Sequence, residues 1–582
     1  MRLAVALLLA TPLIGAAPPP AATATPDARF AQLGADFLRD LAAAHPGYAT
    51  YLGDHSHDGE VDDLSAAGRA RDVAMIRGYQ ARIAAIPRAA LTRENQVDAA
   101  LLSHELAYRL WSLEVLQDWR WDPQGANEAI SGSLYLLAAR DFAPWSDRLR
   151  SATARMERIP AMYAQMRGSL VPARVPAIFA TTVRDQNAGT LQIAEGMLAP
   201  HAGELNAADR TRFDRALAGL KVAVADQQHW LDTVLVPQAK GDFRLGAALY
   251  DRKLAFALDT NLTRQQIKAR AVKAAADTRA EMYALARQVI GADLPAQPTP
   301  AQQQAGIEAA LQLTYATAPA RAEVLPTTTA AIKQATDFVR ARGLVTVPDA
   351  PVGVIEMPKF RQGVAVAYCD SPGPLERQLG TFVAVSPIPD KWSDTQATSF
   401  LREYNRYMIQ DLAVHEAMPG HYLQLAHANA SSPLRAVLAS GPFIEGWAVY
   451  TEKVMADAGY MADPLFKLTV LKMRLRSITN TLLDIGIHTE GMTEAQAMDL
   501  MTRGAFQQER EAAGKWTRAR LSSTQLLSYF TGYAEHLDLR RAVEVREGAR
   551  FNVKRYHDAV LAHGSPPVRY LRALMLNEKV PS

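Results

Sequence analysis

The 582-residue chain has a single cysteine, Cys369, and this already excludes an internal disulfide framework. Excess charge is also scarce. Sixty-three basic residues nearly cancel 60 acidic ones, leaving a formal net charge of +3. Without a strong field of one sign, the composition gives no case for nucleic acid or an anionic membrane as partner. Beyond the N-terminus no long apolar run occurs and no fixed-period repeat is visible. With 49% hydrophobic residues, the chain has ample material for a large globular core.

The one long apolar run is at the start. Arg2 precedes "LAVALLLATPLIG", and small residues follow in "AAPPPAATATP". This is the pattern of an export signal over 1–24, with cleavage between Ala17 and Ala24. A membrane span needs about 20 apolar residues, and this run is shorter. The expected product is a secreted, periplasmic protein with no membrane association after cleavage. No cysteine sits at the signal boundary, which argues against a lipid anchor.

Most of the remaining chain reads as helix. "DARFAQLGADFLRDLAAAHP" and "LTRQQIKARAVKAAADTRAEMYALARQVI" repeat apolar residues three and four apart, and clusters such as "GADLPAQPTPAQQQ" and "VTVPDAPVGV" interrupt them. Two stretches, "GVAVAYCD" and "GTFVAVSPIPD", carry β-branched and aromatic residues between Gly, Pro and Asp and predict a small sheet. The expected fold is mainly α, a large helical single body. A helical part over 25–340 precedes a catalytic part over 341–582, whose small sheet lies beside the active-site helix. An edge strand there could hold an extended peptide.

The chemistry concentrates in "LAVHEAMPGHYLQ". His415-Glu416 opens like H-E-x-x-H, the helix that holds zinc and activates water, but the next histidine is His421 rather than a residue at 419. On an unbroken helix the two histidines would stand about 120° apart, a poor chelate. Pro419 cannot donate to the carbonyl of His415, and Gly420 tolerates unusual backbone angles. A bulge at Pro419-Gly420 that takes up two residues would return His421 to the second ligand's place. Downstream, "EGWAVYTE" sets Glu445 and Glu452 seven apart on one helix face. Two histidines and a carboxylate with an open position are a catalytic zinc set, and Glu416 beside them has the place of a general base. Read alone, the two glutamates could equally be ordinary helix carboxylates.

These motifs, with "DIGIHTEGMT", "YFTG" and "YHDAVLAHGSPP", resemble the bacterial family DUF885, which in turn resembles the gluzincin metallopeptidases. The resemblance implies His415, His421 and Glu445 as ligands of one Zn2+ per chain and Glu416 as base. It also suggests His488, four residues after Asp484, and Tyr529 as stabilisers of an oxyanion. Spacing alone leaves both open as core residues. The implied activity is metallopeptidase hydrolysis of small peptides. Two alternatives are a metallohydrolase of non-peptide amides or esters and a non-catalytic periplasmic binding protein. A lone cysteine such as Cys369 is more often a packing residue than a nucleophile.

Overall fold

The computed structural model describes residues 24–291, 293–357, 367–376, 379–388, 392–429 and 431–581. The export signal expected over 1–24 falls almost wholly outside them. Helices form nearly all of the regular structure, as the periodicity predicts. The elements that position the site begin with α1 (Arg93–Trp111), α2 (Arg264–Ile290) and α3 (Val324–Arg342). A three-stranded sheet follows: β1 (Val352–Glu356), β2 (Ala367–Asp370) and β3 (Thr381–Val385). Then come α4 (Arg406–Glu416), α5 (His421–Ala428), α6 (Pro433–Val437), α7 (Gly441–Asp457), α8 (Pro464–Thr489), α9 (Glu509–Leu521) and α10 (Ser528–Glu547).

The helix starts are written locally. Asn405 accepts from the N–H groups of Tyr407 and Met408 to open α4. Ser440 caps α7 through Phe443 N–H, and Asp463 caps α8 through Leu465 N–H; in both helices Pro occupies the first turn, where no N–H is missed. Helices α7 and α8 are buried on almost every side, the signature of central helices in a large helical body.

In the sheet, β3 is central, parallel to β1 and antiparallel to β2. The sequence reading missed β1, because "VTVPDAPVGV" scores as a breaker. Pro351 instead ends the breaker, and the Val-Gly-Val-Ile-Glu run after it pairs residue for residue with β3. The first half of the strand expected from "GVAVAYCD" lies outside the described residues; its second half is β2.

The division expected at 340/341 falls in the last turn of α3, ahead of the sheet, and the cores cross it. The largest apolar cluster joins Ala271 of α2 and Ile332 and Val339 of α3 to Val414, Trp447 and Ile478. A second junction is polar: buried Arg435 of α6 donates through Nε to Asp98 of α1 at 2.7 Å, and its Nη2 lies 2.8 Å from Glu94. Removing one partner of a buried ion pair strands the other charge. Asp98→Ala is therefore expected to cost about 3 kcal/mol and lower the thermal midpoint. Asp98→Asn, which keeps a hydrogen-bond acceptor, should cost less in the same melts.

Candidate metal centre

The approach of His415 and His421 follows from a helix that stops and restarts. Helix α4 ends at Glu416, Ala417 leaves helical angles (φ −121°, ψ −75°), and α5 begins at His421. Helical geometry lapses between Glu416 and His421, yet backbone bonds that span five and six positions instead of four cross the gap and take up the two extra residues expected of a bulge. The break turns tightly back: Met418 N–H bonds Ala413 O, and Gly420 N–H bonds Val414 O at 3.0 Å. The Met418–Pro419 peptide is cis, and buried Trp447 holds Pro419 O through its indole N–H at 2.9 Å. Gly420 is required by contact: a Cβ there would lie 1.9 Å from His415 O. The two imidazoles end 4.8 Å apart and nearly perpendicular.

Helix α7 brings the third group. Glu445 Oε2 lies 3.4 Å from His421 Nε2 and 3.9 Å from His415 Nε2. All three ligand atoms fall within 4.8 Å of one another. Donor atoms on a tetrahedral zinc stand roughly 3.3 Å apart, so one pair is already at that spacing and the others need only small contractions. Two turns along α7, Glu452 Oε1 sits 2.7 Å from His415 Nδ1. A carboxylate behind a histidine fixes the tautomer that leaves Nε2 with its lone pair facing forward, the arrangement behind metal-ligating histidines. Sequence spacing finds Glu452 on this face, but its role becomes visible only once His415 is packed against it.

The donor set is acidic and enclosed. Burial pushes Glu452 well above the ordinary carboxylate range, and burial, with Glu452 nearby, does the same to Asp411, one turn before His415. Both Asp411 oxygens are buried without a partner among the described residues, and so is His421 Nδ1. Burial lowers His415, helped by His421. Burial also works against the charged forms of His421 and Glu445, but their mutual pairing outweighs it, raising the first and lowering the second. A pocket with three glutamates, an aspartate and two histidines suits a divalent cation.

Glu416 is buried and accepts a hydrogen bond from Cys369 N–H of β2 at 3.0 Å. The Cys369 thiol is pushed well up by burial and by Glu416, so it has no thiolate character. Tyr529 of α10 lies beside Glu445; burial and that carboxylate push its phenol up, so it stays protonated. His488 lies elsewhere. Its Nε2 is engaged by the carbonyls of Ser522 and Ala519 at 2.8 and 3.2 Å, and its ring stacks on Tyr250. Asp484 is occupied by Tyr250 Oη and the N–H groups of Thr524 and Leu526. Spacing placed Asp484 and His488 on one helix face, but that face packs against Tyr250, the end of α9 and the loop after it. The contacts described tie them to that packing rather than to His415, His421 and Glu445.

Tyr529 reaches Glu445 because α7 and α10 touch backbone to backbone. A Cβ on Gly446 would lie 2.3 Å from Gly532 C, and one on Gly532 would lie 1.8 Å from Pro442 O. Only glycine at both positions permits this separation.

Fold and site together define a mainly helical protein built around a buried group of two histidines and a carboxylate. The chain belongs to the bacterial proteins of unknown function called DUF885, a family that matches residues 46–575. It is similar to a solved protein of unknown function from Shewanella oneidensis, described as a candidate lipoprotein. The two are 33% identical with a TM-score of 0.81, over 94% of this chain and 99% of that one. A candidate lipoprotein from Colwellia psychrerythraea shares the fold at 16% identity, with a TM-score of 0.79 over 95% of this chain and 100% of that one. No curated protein matches the chain.

Gly446→Ala is expected to force α7 and α10 apart, lowering stability by about 1–3 kcal/mol, as overpacking does. Its thermal midpoint should fall, and a crystal structure of the variant should have Tyr529 drawn away from Glu445.

Proposed function

We propose that the protein is a zinc-dependent hydrolase acting on short peptides. The observation that carries this reading is the convergence of His415, His421 and Glu445, with Glu452 behind His415 and Glu416 at the end of the same helix turn. The three side chains would hold the ion. When bound, zinc supplies Lewis acidity that polarises a carbonyl and acidifies water.

The chain's own groups divide the remaining work. Glu416 takes the proton of the attacking water and returns it to the leaving nitrogen. Its bond from Cys369 N–H fixes one carboxylate oxygen and leaves the other for that exchange. Tyr529, held protonated, is the donor available to oxygen that gains negative charge at the carbonyl. Glu452 keeps His415 in the ligating tautomer. Beside them β2 is an edge strand whose outer face meets Glu416, a position from which its backbone could align an extended substrate.

No helix of the described residues is long and apolar enough to cross a membrane. The N-terminal signal pattern and the similar proteins described as candidate lipoproteins support an exported protein, and we assign it to the periplasm.

The mature protein should carry about one zinc per chain by mass spectrometry, and His421→Ala should lose most of it. Glu452→Gln should bind the metal about 10–100-fold more weakly. Glu416→Gln should keep the metal yet lose about 10²–10⁴-fold of peptide turnover, since it removes only the proton acceptor. A wild-type protein that stays metal-free when offered zinc would sink the hydrolase reading.

A further inference from the structure

Helix α9 presents two cations to the site, and neither has an anionic partner. Lys515 is 7% exposed, yet among the described residues it makes no hydrogen bond and has no carboxylate within ion-pair distance. Around it are Arg476, Glu511, Arg518 and Glu445, and burial together with Arg476 pushes its ammonium well below the ordinary lysine range, so its charge is held only when an anion joins it. Of these, Glu511 is already committed, as it pairs with Arg476 and accepts from Tyr404. Arg518 follows three residues later on the same face of the helix. It donates to Gln525 Oε1 at 3.0 Å and to Tyr529 Oη at 3.3 Å, both uncharged groups. Tyr529 in turn lies beside Glu445, so the Arg518 guanidinium is linked through the phenol to the neighbourhood of that carboxylate.

A buried ammonium without an anion carries an uncompensated desolvation cost, and a second cation one turn away raises it. Such an arrangement is stable in use if something negative enters between them. The direction matters too. Arg518 meets the site through Tyr529, whereas Glu416 meets β2, so the anion would enter from the side of the centre away from Glu416.

We infer that Lys515 and Arg518 form a subsite for the free α-carboxylate of the substrate's C-terminal residue. This rests on the hydrolase reading and narrows it: the enzyme removes residues from the C-terminal end of short peptides, or splits dipeptides, rather than cutting within long chains. The ammonium supplies a point charge, and the guanidinium supplies paired donors to a planar carboxylate.

The test is a binding measurement on a protein that cannot turn over. The zinc-loaded Glu416→Gln variant is titrated calorimetrically with tri-alanine, with tri-alanine amide and with Ala-Ala-Asp amide. Tri-alanine is expected to bind about tenfold or more tightly than its amide, as a charge-assisted contact provides. Adding Lys515→Met or Arg518→Gln should each erase most of that difference while leaving amide binding alone. Thermal melts check that both variants fold. Equal binding of acid and amide, no binding of either, or an unchanged preference in both variants overturns the subsite. An Asp amide that matches tri-alanine overturns the assignment to a chain terminus in favour of an acidic side chain. Wild-type turnover separates the two readings. Hydrolysis indifferent to the terminal charge removes the subsite alone, whereas acid-selective binding without hydrolysis of any peptide removes the hydrolase.

Discussion

The contact between Gly446 and Gly532 sets the geometry of everything around it. Two helices that meet without side chains between them have a fixed separation, because neither can move closer and neither has a flexible group to yield. Helix α7 carries Glu445 next to its contact glycine and Glu452 two turns further, so fixing α7 fixes both carboxylates. His415 is thereby bracketed, with one glutamate at Nδ1 and the other facing Nε2. Helix α10 carries Tyr529 one turn before its own contact glycine, which is why a phenol reaches the same carboxylate.

Around that frame, charge is segregated. Helices α4 and α7 contribute Asp411, Glu416, Glu445 and Glu452, all held close to two histidines; α9 contributes Lys515 and Arg518. Each side by itself would be costly to bury. On the proposed function, a cation among the acids and an anion between the bases would relieve both costs and make the site electrically complementary to a substrate with one charged end.

Much of this was legible in the sequence. Helical periodicity announced the fold class, and His415, Glu416, His421 and Glu445 stood out because zinc chemistry limits which residues can share a site. The "EGW" and "YFTG" motifs were visible as words, but their meaning was steric: Gly446 and Gly532 are two halves of one contact 86 positions apart, which no local pattern reports. The break after Glu416 was foreseen as a bulge, since Pro and Gly signal an interruption without specifying its path. Strand β1 hid behind Pro351. His488 carried the right chemistry for an oxyanion role, but the carbonyls of Ala519 and Ser522 that engage it lie more than 30 residues away. Lys515 and Arg518 were missed because "EREAAGKWTRARL" reads as a solvated helix; their meaning depends on which carboxylates are already taken.

The bond from Cys369 N–H to Glu416 has a consequence for how this protein can vary. The donor is main chain, so any residue but proline at 369 supplies it, and the side chain there is free to change. The alignment of the strand is not. Successive N–H groups of β2 point alternately toward β3 and away from it, so a one-residue slip along β3 would turn the donor inward. A lineage that shifted this register would free the Glu416 carboxylate with every side chain of the site intact.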